Sequence, residues 1–316
     1  MYYFIINPHS KSGKGMSIWN NIQIILQEQN IAYQAIQTMY PGHATSLVQQ
    51  LSQTHTKKTL IILGGDGTLH EAIQGLHEHS PITIGYIPTG SGNDFARSLH
   101  IHSPSLHELS SFLHATKIIE IDYGLFFDSN GCSRRFVVSC GVGFDAYICY
   151  QTQHSIIKKL LNKFHLGSLS YLIIGIPSLF THKNYKATIT LDDTTTIQLD
   201  HLFFTSVHIH PFEGGGFAFC PDADYQDGLL DLCIVNTSSL LKKIIILLSA
   251  FFKRRPHCLG VTTYRCTKAT IRLETATYFH IDGECPLQEI KEFTVVASKE
   301  QKFSFLLPSF EQSKHF

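Results

Sequence analysis

Through the first 122 residues, short apolar runs alternate with stretches whose apolar residues recur at helical spacing. Runs rich in apolar residues at 2–6, 33–37, 59–63 and 82–87 predict strands. After the second run, Ala44, Leu47, Val48 and Leu51 fall at i, i+3, i+4 and i+7, the spacing of one helix face. This β–α–β–α order is typical of a parallel sheet with helices on both faces, so we expect a doubly wound α/β domain over 1–122.

The pattern changes after Asp122. Apolar or alternating runs at 136–139, 187–191, 197–199, 203–209 and 230–235 predict strands, and helical stretches are expected near 155–180 and 238–252. Asp192-Asp193 lies between two alternating runs and predicts a hairpin turn. We therefore expect a second, mostly antiparallel β-sandwich domain that begins near residue 123.

Composition narrows the class of protein. The 316 residues are 43% hydrophobic with a formal net charge of zero, which argues against disorder and against a general nucleic-acid binder. Eight cysteines form no CxxC pair, so no zinc ribbon or thiol redox site is indicated. The N-terminus lacks the pattern of a signal peptide, and the apolar run at 244–252 is far short of the roughly 20 residues that span a bilayer. We expect a cytoplasmic protein, or one bound peripherally to the inner membrane face; the oligomeric state cannot be read from the sequence.

The junction IILGGDGT places Gly64, Gly65 and Gly67 around Asp66, directly between a predicted strand and a predicted helix. Glycine permits positive φ and close approach, and the first N–H groups of a helix can bind phosphate. A carboxylate there suits a Mg²⁺ held by nucleotide phosphates. The alternative is a tight turn with a solvated aspartate.

Two further loops strengthen the phosphate interpretation. The segment 87–97, IPTGSGNDFAR, again follows a strand and precedes a helix, and NPHSKSGKG follows the first strand. In a doubly wound sheet such loops gather at the carboxyl ends of the strands, where ligands bind. The first loop is not a Walker A motif, because Pro8 and Gly15 stand where that motif needs glycine and Ser or Thr.

Five segments, GGDGTLHEAIQGL, IGYIPTGSGNDFAR, NPHSKSGKG, GGGFAFCPDADYQDGLLDL and HIDGECP, together resemble the motifs of the diacylglycerol kinase catalytic-domain family. Length and layout are most similar to the bacterial soluble lipid kinases. The resemblance implies an NAD-kinase-like domain over 1–122, a β-sandwich domain for the lipid substrate over 123–297, ATP in the cleft, and a return of about 298–316 to the first domain.

The resemblance also implies a set of nucleotide-binding positions with Mg²⁺ at the phosphates. Ser91 stands where the family usually has threonine, and Lys11 and Thr89 depart from the family pattern. The implied positions are Asn7, Pro8, His9, Ser10, Lys11, Thr38, Gly64, Gly65, Asp66, Gly67, Thr68, Leu69, His70, Glu71 and Ser91.

Asp282-Gly283-Glu284 supplies candidate catalytic acids, because phosphorylating a hydroxyl group needs a carboxylate near its proton. Acids two positions apart project to the same side of an extended segment, although the glycine can bend it. The resemblance places the catalytic base here. We favour Glu284, with Asp282 as a rival or a Mg²⁺-linked partner; the alternative is a solvated acidic turn.

In the family, the loop that corresponds to PDADYQDGLLD binds a structural Mg²⁺. The resemblance assigns this role to the carbonyl groups of Asp224 and Leu229 and the carboxylate of Asp227, with Asp122 joining the acidic network. The alternative is a turn that closes a hairpin before the strand at 230–235.

Leu240 to Arg255 has an apolar middle with lysine and arginine around it, and Lys158, Lys159 and Lys163 form a second basic cluster. Such segments can make transient contact with an anionic membrane surface. The alternative is a core helix with solvated basic ends.

The expected activity is ATP-dependent transfer of a phosphoryl group to a lipid hydroxyl group. The favoured acceptor is diacylglycerol, which would give phosphatidic acid. A phosphatidylglycerol or sphingoid-base kinase would need the same groups. A soluble NAD kinase, which shares GGDGT, and a nucleotide-binding regulator without catalysis are the rivals from other classes.

Overall fold

The chain forms two structural units in a computed structural model that describes residues 1–153, 169–253 and 260–308. Unit 1 comprises Met1–Ile121 and the chain from Lys302 onward, and unit 2 comprises Asp122–Gln301. The sequence placed these boundaries near 122 and 298.

Unit 1 is built on a parallel sheet. The strands are β1 (Tyr2–Ile6), β2 (Tyr33–Gln37), β3 (Lys58–Gly64) and β4 (Ile82–Pro88). They pair in the order β2-β1-β3-β4. The last residues of β16 (Ile290–Leu306) extend the sheet, because Ser304 and Phe305 pair in parallel with β4. The predicted α/β architecture is confirmed, and the first two strands have the predicted bounds.

Helices cover both faces of this sheet. A 3₁₀ turn (Ser10–Gly13) leads into α1 (Lys14–Glu28), and α5 (Leu106–Leu113) joins α1 in one cluster with Phe4 and Ile61. On the other side, α2 (His43–Ser52) buries the predicted face of Ala44, Leu47 and Val48 and packs against α3 (Asp66–Gln74). A short helix, α4 (Asp94–Ser98), follows β4.

Unit 2 is dominated by antiparallel pairs, in the order β13-β12-β9-β8-β14-β16, with β7 paired to β9 and β15. It is the predicted β-sandwich. The strands are β5 (Ile118–Asp128), β6 (Ser133–Phe136), β7 (Ser139–Gly143), β8 (Tyr185–Leu191), β9 (Thr195–His208), β10 (Phe212–Glu213), β11 (Phe217–Ala218), β12 (Leu230–Asn236), β13 (Val261–Cys266), β14 (Lys268–Thr277), β15 (Phe279–Ile281) and β16 (Ile290–Leu306).

Three described helices belong to unit 2: α6 (Phe144–Gln153), α7 (Leu169–Ser178) and α8 (Leu240–Phe251). Strand β12 shows how the layers form. Leu232 and Ile234 lie in the cluster between the strands, whereas Cys233 and Val235 lie in a second cluster with residues of all three helices. Alternate side chains of a strand point to opposite faces, so β12 is buried on both.

The structure differs from the sequence expectation at several elements. The runs 197–199 and 203–209 belong to one strand, β9, which ends at His208. The predicted strand at 136–139 is interrupted, because Phe136 ends β6, Ser139 begins β7, and 137–138 lie between them. The hairpin turn at Asp192-Asp193 is confirmed, with φ of 48° and 58°. Helix α8 matches the prediction for 238–252, and α7 matches part of 155–180; residues 154–168 lie outside the described residues.

Phe305 tests how strongly the C-terminal part of β16 stabilises unit 1. Its ring is fully buried and packs edge-on against Phe95, with centroids 5.3 Å apart. We expect Phe305→Ala to lower the free energy of unfolding of unit 1 by about 3–5 kcal/mol. Trp19 is buried in unit 1 and is the only tryptophan in the chain, so its fluorescence during urea unfolding measures this unit. The control is Ser304→Ala, which removes a hydroxyl group bonded to exposed Glu120.

Candidate active site

Three loops of unit 1 meet at the carboxyl edge of its sheet and are joined by side-chain hydrogen bonds. Asn7, directly after β1, donates from Nδ2 to Thr68 Oγ1 at 3.0 Å. Thr89, directly after β4, donates to the buried Ser10 Oγ at 2.8 Å, and Ser10 in turn donates to the carbonyl of Asn7. The loops after β1, β3 and β4 therefore form one connected cradle.

The turns after β3 and β4 touch through glycine backbone. A Cβ on Gly90 would lie 2.7 Å from Gly65 Cα, and a Cβ on Gly64 would lie 2.6 Å from Thr68. Gly65 is the extended residue from which α3 begins, and the first N–H groups of such a helix have no partner within the helix. Phosphate oxygens are suitable acceptors for these N–H groups.

Asp66 and Asp94 lie together where the two turns meet. The N–H of Asp94 donates to Asp66 Oδ2 at 3.2 Å, and Asp66 Oδ1 is buried without a hydrogen-bond partner within the described ranges. Burial, and then the charge of Asp94, raise the pKa of Asp66 to about 7, although nearby backbone N–H groups partly oppose the shift. Buried carboxylate oxygen that lacks a donor fits a magnesium ion. Asp94 was not among the predicted site residues; its place directly after Gly92-Asn93 in the second loop was the available signal.

Other residues expected at the nucleotide occupy varied places. Thr38 follows β2 and donates its N–H to the carbonyl of Ile6 at 2.8 Å, which brings it to the same sheet edge. Pro8 and His9 lie in the first loop, where the N–H of His9 donates to Asn7 Oδ1, and Ser91 lies in the turn after β4. The side chain of Lys11 lies outside the described part of the structure.

The end of the GGDGTLHE motif lies within α3 rather than in the three loops. The side chain of Leu69 is buried in the core, and His70 is also buried. Glu71 accepts from the N–H of Ala44 at 3.2 Å, and its carbonyl accepts from Thr45 Oγ1 at 2.8 Å. Glu71 therefore holds the start of α2, a role that the motif alone did not indicate.

In unit 2, Asp282-Gly283 forms the two central residues of a tight hairpin turn. Their φ angles are 51° and 78°, and the backbones of Ile281 and Glu284 exchange hydrogen bonds of 3.0 and 2.9 Å. These are the features of a type I′ turn, for which Asp-Gly is a preferred sequence. The segment is therefore not extended, and the expectation that both acids project to the same side is wrong.

The turn separates the two carboxylates. Asp282 is buried and accepts hydrogen bonds from the backbone N–H groups of Val137, Val138 and Ser139 at 2.8–3.2 Å. Glu284 is exposed, and among the described residues its carboxylate accepts from Gln153 Nε2 at 3.2 Å. Asp282 thus fixes the position of the turn, whereas the carboxylate of Glu284 remains accessible to a substrate. Gln153 was not identified from the sequence.

A buried acidic cluster lies next to this turn and was also missed. His280 Nε2 is 3.1 Å from Asp145 Oδ2 and 4.0 Å from Glu213 Oε2, and these three side chains could hold a metal ion. Burial alone would lower the pKa of His280, but Cys149, Asp145 and Glu213 raise it to about 10. A protonated His280 therefore supplies positive charge between two buried carboxylates.

The 221–231 loop closes onto the start of unit 2. Asp122 Oδ2 accepts from the N–H of Gly228 at 2.8 Å, while the carboxylates of Asp224 and Asp227 accept from backbone N–H groups two residues ahead. Arg265 is also present, with Nε 3.1 Å from Asp231 Oδ1 and NH1 3.9 Å from Asp227 Oδ2. The predicted metal ligands Asp224, Asp227 and Leu229 therefore share one loop that a guanidinium group already approaches.

Two family models match this chain. The diacylglycerol kinase catalytic domain matches residues 1–126, and the YegS C-terminal NAD kinase beta sandwich-like domain matches residues 139–296.

Similar proteins carry kinase names. YtlR of Bacillus subtilis (strain 168), named as a lipid kinase, is 30% identical over 90% of this chain and 93% of its own length. A protein named diacylglycerol kinase from Mycobacterium tuberculosis (strain CDC 1551 / Oshkosh) is 27% identical over 72% of this chain and 71% of its own. A crystal structure described as a diacylglycerol kinase from Bacillus anthracis str. Sterne shares the fold, with a TM-score of 0.69 and 18% identity over 97% and 96% of the two chains. Among the described residues, no helix is both long enough and apolar enough to cross a membrane.

Asp66 should make stability depend on pH. Its folded pKa of about 7 exceeds the value of about 3.9 in an unfolded chain, so the native state binds the extra proton between these limits. In nucleotide-free, metal-free protein we expect stability to fall as pH rises from about 4 to 7. Asp66→Asn should therefore stabilise unit 1 more at pH 8 than at pH 5, measured by urea unfolding of Trp19 fluorescence. The exposed Glu78→Gln is the control, and equal gains at both pH values would contradict the expectation.

Asp282→Asn should loosen the turn. All three N–H groups donate to Oδ1, and that of Val137 also reaches Oδ2 at 3.1 Å. An amide oxygen can replace Oδ1 without its negative charge, but the NH₂ group in place of Oδ2 would face the N–H donor of Val137. We expect the free energy of unfolding to fall by about 1–3 kcal/mol, which is the cost of leaving a buried polar group unpaired. Hydrogen exchange of the amides at 137–139 should accelerate in this variant. Unchanged protection would show that the carboxylate does not hold the turn.

Proposed function

Because this chain belongs to the diacylglycerol kinase catalytic-domain family of lipid kinases, we propose that it transfers the γ-phosphate of ATP to the hydroxyl group of diacylglycerol, forming phosphatidic acid. The enzyme class follows from the family. The donor, the acceptor and the residue roles below are the proposal, and the accessible Glu284 on its anchored turn is the observation that carries it.

The donor side of the proposal rests on the cradle of unit 1. Gly64, Gly65 and Gly67 leave the start of α3 open to phosphate oxygens, and Asn7, Ser10 and Thr68 hold the neighbouring loops in register. Asp66 would bind the Mg²⁺ that accompanies ATP, because its Oδ1 atom is buried without a donor. A bound Mg²⁺ would neutralise charge on the transferred phosphoryl group.

On the acceptor side, Glu284 is proposed as the general base that takes the proton of the lipid hydroxyl group. The exposed carboxylate of Glu284, which within the described ranges accepts from Gln153, keeps lone pairs for this purpose, whereas those of Asp282 are engaged by the backbone. Asp282 is a positioning residue in this scheme. The accepted proton stays on Glu284 as the bond between the lipid oxygen and the γ-phosphorus forms and the bond from that phosphorus to the β,γ-bridging oxygen breaks, which releases ADP. The proton leaves to solvent afterwards.

The 221–231 loop is proposed to hold a second Mg²⁺ through the carbonyl groups of Asp224 and Leu229 and the carboxylate of Asp227. The proposal is supported by the exposure of Asp224 and Asp227 and by the hydrogen bond that ties Asp122 to this loop. Arg265 would have to release Asp227, since its NH1 atom lies only 3.9 Å away.

The acceptor is tested with γ-³²P-ATP, Mg²⁺ and purified protein. Diacylglycerol, phosphatidylglycerol and a sphingoid base are presented separately in mixed micelles, and NAD is presented in solution. We expect labelled phosphatidic acid. Label only on another lipid would reassign the acceptor, label on NAD would indicate an NAD kinase, and nucleotide binding without transfer to any acceptor would indicate a regulator.

Glu284→Gln should lower kcat about 10²–10⁴-fold, the usual contribution of a general base. The melting temperature should change little, because Glu284 is exposed. The affinity for ATP, measured by calorimetry, should also be retained. Glu289→Gln, an exposed acid of the same segment, is the matched control. A Glu284→Gln variant with wild-type kcat would remove Glu284 from the mechanism.

A further inference from the structure

Charge is divided unevenly along a chain whose net charge is zero. Residues 146–191 and 237–273, both in unit 2, contain 13 of the 25 Lys and Arg residues and none of the 25 Asp and Glu residues. The rest of the chain therefore has 12 basic and 25 acidic residues. Five of the basic residues lie outside the described residues: Lys158, Lys159, Lys163, Arg254 and Arg255.

Each of these two segments contains a helix with an apolar outer face. On α7 and just after it, Ile173, Ile176 and Phe180 follow i, i+3 and i+7 spacing and are 46–68% exposed. On α8, Leu241, Ile245, Leu248 and Phe252 follow i, i+4, i+7 and i+11 spacing and are 38–67% exposed. We call these seven residues the α7–α8 surface. Ordinary surface helices present polar residues at such positions.

The inner face of α8 is fixed by Lys243. This lysine is buried, donates from Nζ to Asn184 Oδ1 at 2.7 Å, and lies 4.3 Å from the centroid of the Phe203 ring. Ile246 and Ala250, one and two turns further, are buried beside it. Helix α8 therefore cannot rotate to bury Leu241 and Phe252 without removing a buried cation from its partners.

Both helices pack on one hydrophobic cluster. Ile174 and Leu179 reach it from α7, Ile246 and Ala250 reach it from α8, and Phe203 lies within it. Among the exposed large apolar residues described in unit 2, only Leu287 lies outside α7, α8 and their flanking residues. The apolar side chains are thus concentrated in the segments that lack acidic residues.

We propose that the α7–α8 surface docks unit 2 on an anionic lipid bilayer. The apolar side chains would enter the boundary between headgroups and acyl chains, and the exposed Lys183, Lys242 and Lys253 of the same segments would lie at the anionic headgroups. A second copy of the chain is a poorer occupant, because these lysines would face like charges. A nucleic acid offers nothing to exposed leucine and isoleucine. The proposal rests on the proposed function in one respect, since a lipid acceptor brings the enzyme to a membrane.

Vesicle flotation of the full chain, without ATP, tests the docking. We expect retention on vesicles of phosphatidylcholine with 30% phosphatidylserine, and about tenfold weaker binding to phosphatidylcholine alone. Binding should also weaken between 0.1 and 0.5 M salt, because the Debye length falls from about 10 Å to about 4 Å. The double variant Leu241→Ser/Phe252→Ser should bind at least tenfold more weakly than wild type.

The matched control is Ile24→Ser/Ile118→Ser, which removes two exposed isoleucines from unit 1 and should leave flotation unchanged. Near-ultraviolet circular dichroism checks that both double variants are folded. Absence of wild-type retention on anionic vesicles, or equal losses in the two double variants, would overturn the docking proposal.

Kinase assays separate this proposal from the proposed function. We expect the ratio of activity on vesicle-borne diacylglycerol to activity on dispersed short-chain diacylglycerol to fall at least tenfold in Leu241→Ser/Phe252→Ser. A wild-type protein that floats with vesicles but phosphorylates no lipid would contradict the proposed function and support the docking proposal. A protein that phosphorylates dispersed diacylglycerol but does not float would support the proposed function and contradict the docking proposal.

Discussion

The contact between the backbones of Gly65 and Gly90 is the constraint on which the candidate nucleotide site depends. A Cβ on Gly90 would lie 2.7 Å from Gly65 Cα, and a Cβ on Gly65 would lie 3.1 Å from Gly90 Cα. Because both residues are glycine, the turns after β3 and β4 approach until Asp94 N–H reaches the carboxylate of Asp66. The raised pKa of Asp66 follows from that approach, because burial and a neighbouring carboxylate both oppose its ionisation. The glycines therefore open the start of α3 and also create a pair of acids that a cation would stabilise.

Unit 2 separates two carboxylates, whereas unit 1 brings two together. Its type I′ turn directs one carboxylate inward, where three backbone N–H groups stabilise it, and leaves the other at the surface. The hydrogen bonds to buried Asp282 attach this turn to the segment 137–139, and the exposed Glu284 follows directly after it. Two residues that look equivalent in the sequence thus have different physical roles, which supports their division into base and positioning residue.

The pattern of apolar and polar residues predicted those elements whose formation depends on residues close in sequence. The strands at 2–6 and 33–37, the face of α2 and the turn at Asp192-Asp193 each depend on neighbours in sequence, and they appear as expected. The run at 136–139 reads as one strand, yet it is interrupted at 137–138, where the N–H groups donate to the carboxylate of Asp282, more than 140 residues away. Glu71 likewise holds α2, and His280 meets Asp145 and Glu213 from distant segments. Contacts between such distant segments cannot be predicted from the periodicity of apolar residues within a short stretch of sequence.

Helix α8 shows why apolar helices with basic flanks are hard to interpret from sequence. The two alternatives were a membrane-facing segment and a core helix with solvated lysines, and α8 has properties of both. One of its lysines, Lys243, is buried against Phe203, while Leu241 and Phe252 are exposed. A basic residue therefore does not mark the solvent side here, and an apolar residue does not mark the core. A property of longer range favours the membrane alternative: 146–191 and 237–273 contain no acidic residue, although carboxylates of other segments pair with Lys186, Arg265, Lys268 and Arg272. The exposed Lys242 and Lys253 belong to α8 and its end, and a surface that meets anionic lipid is weakened by every carboxylate placed near it.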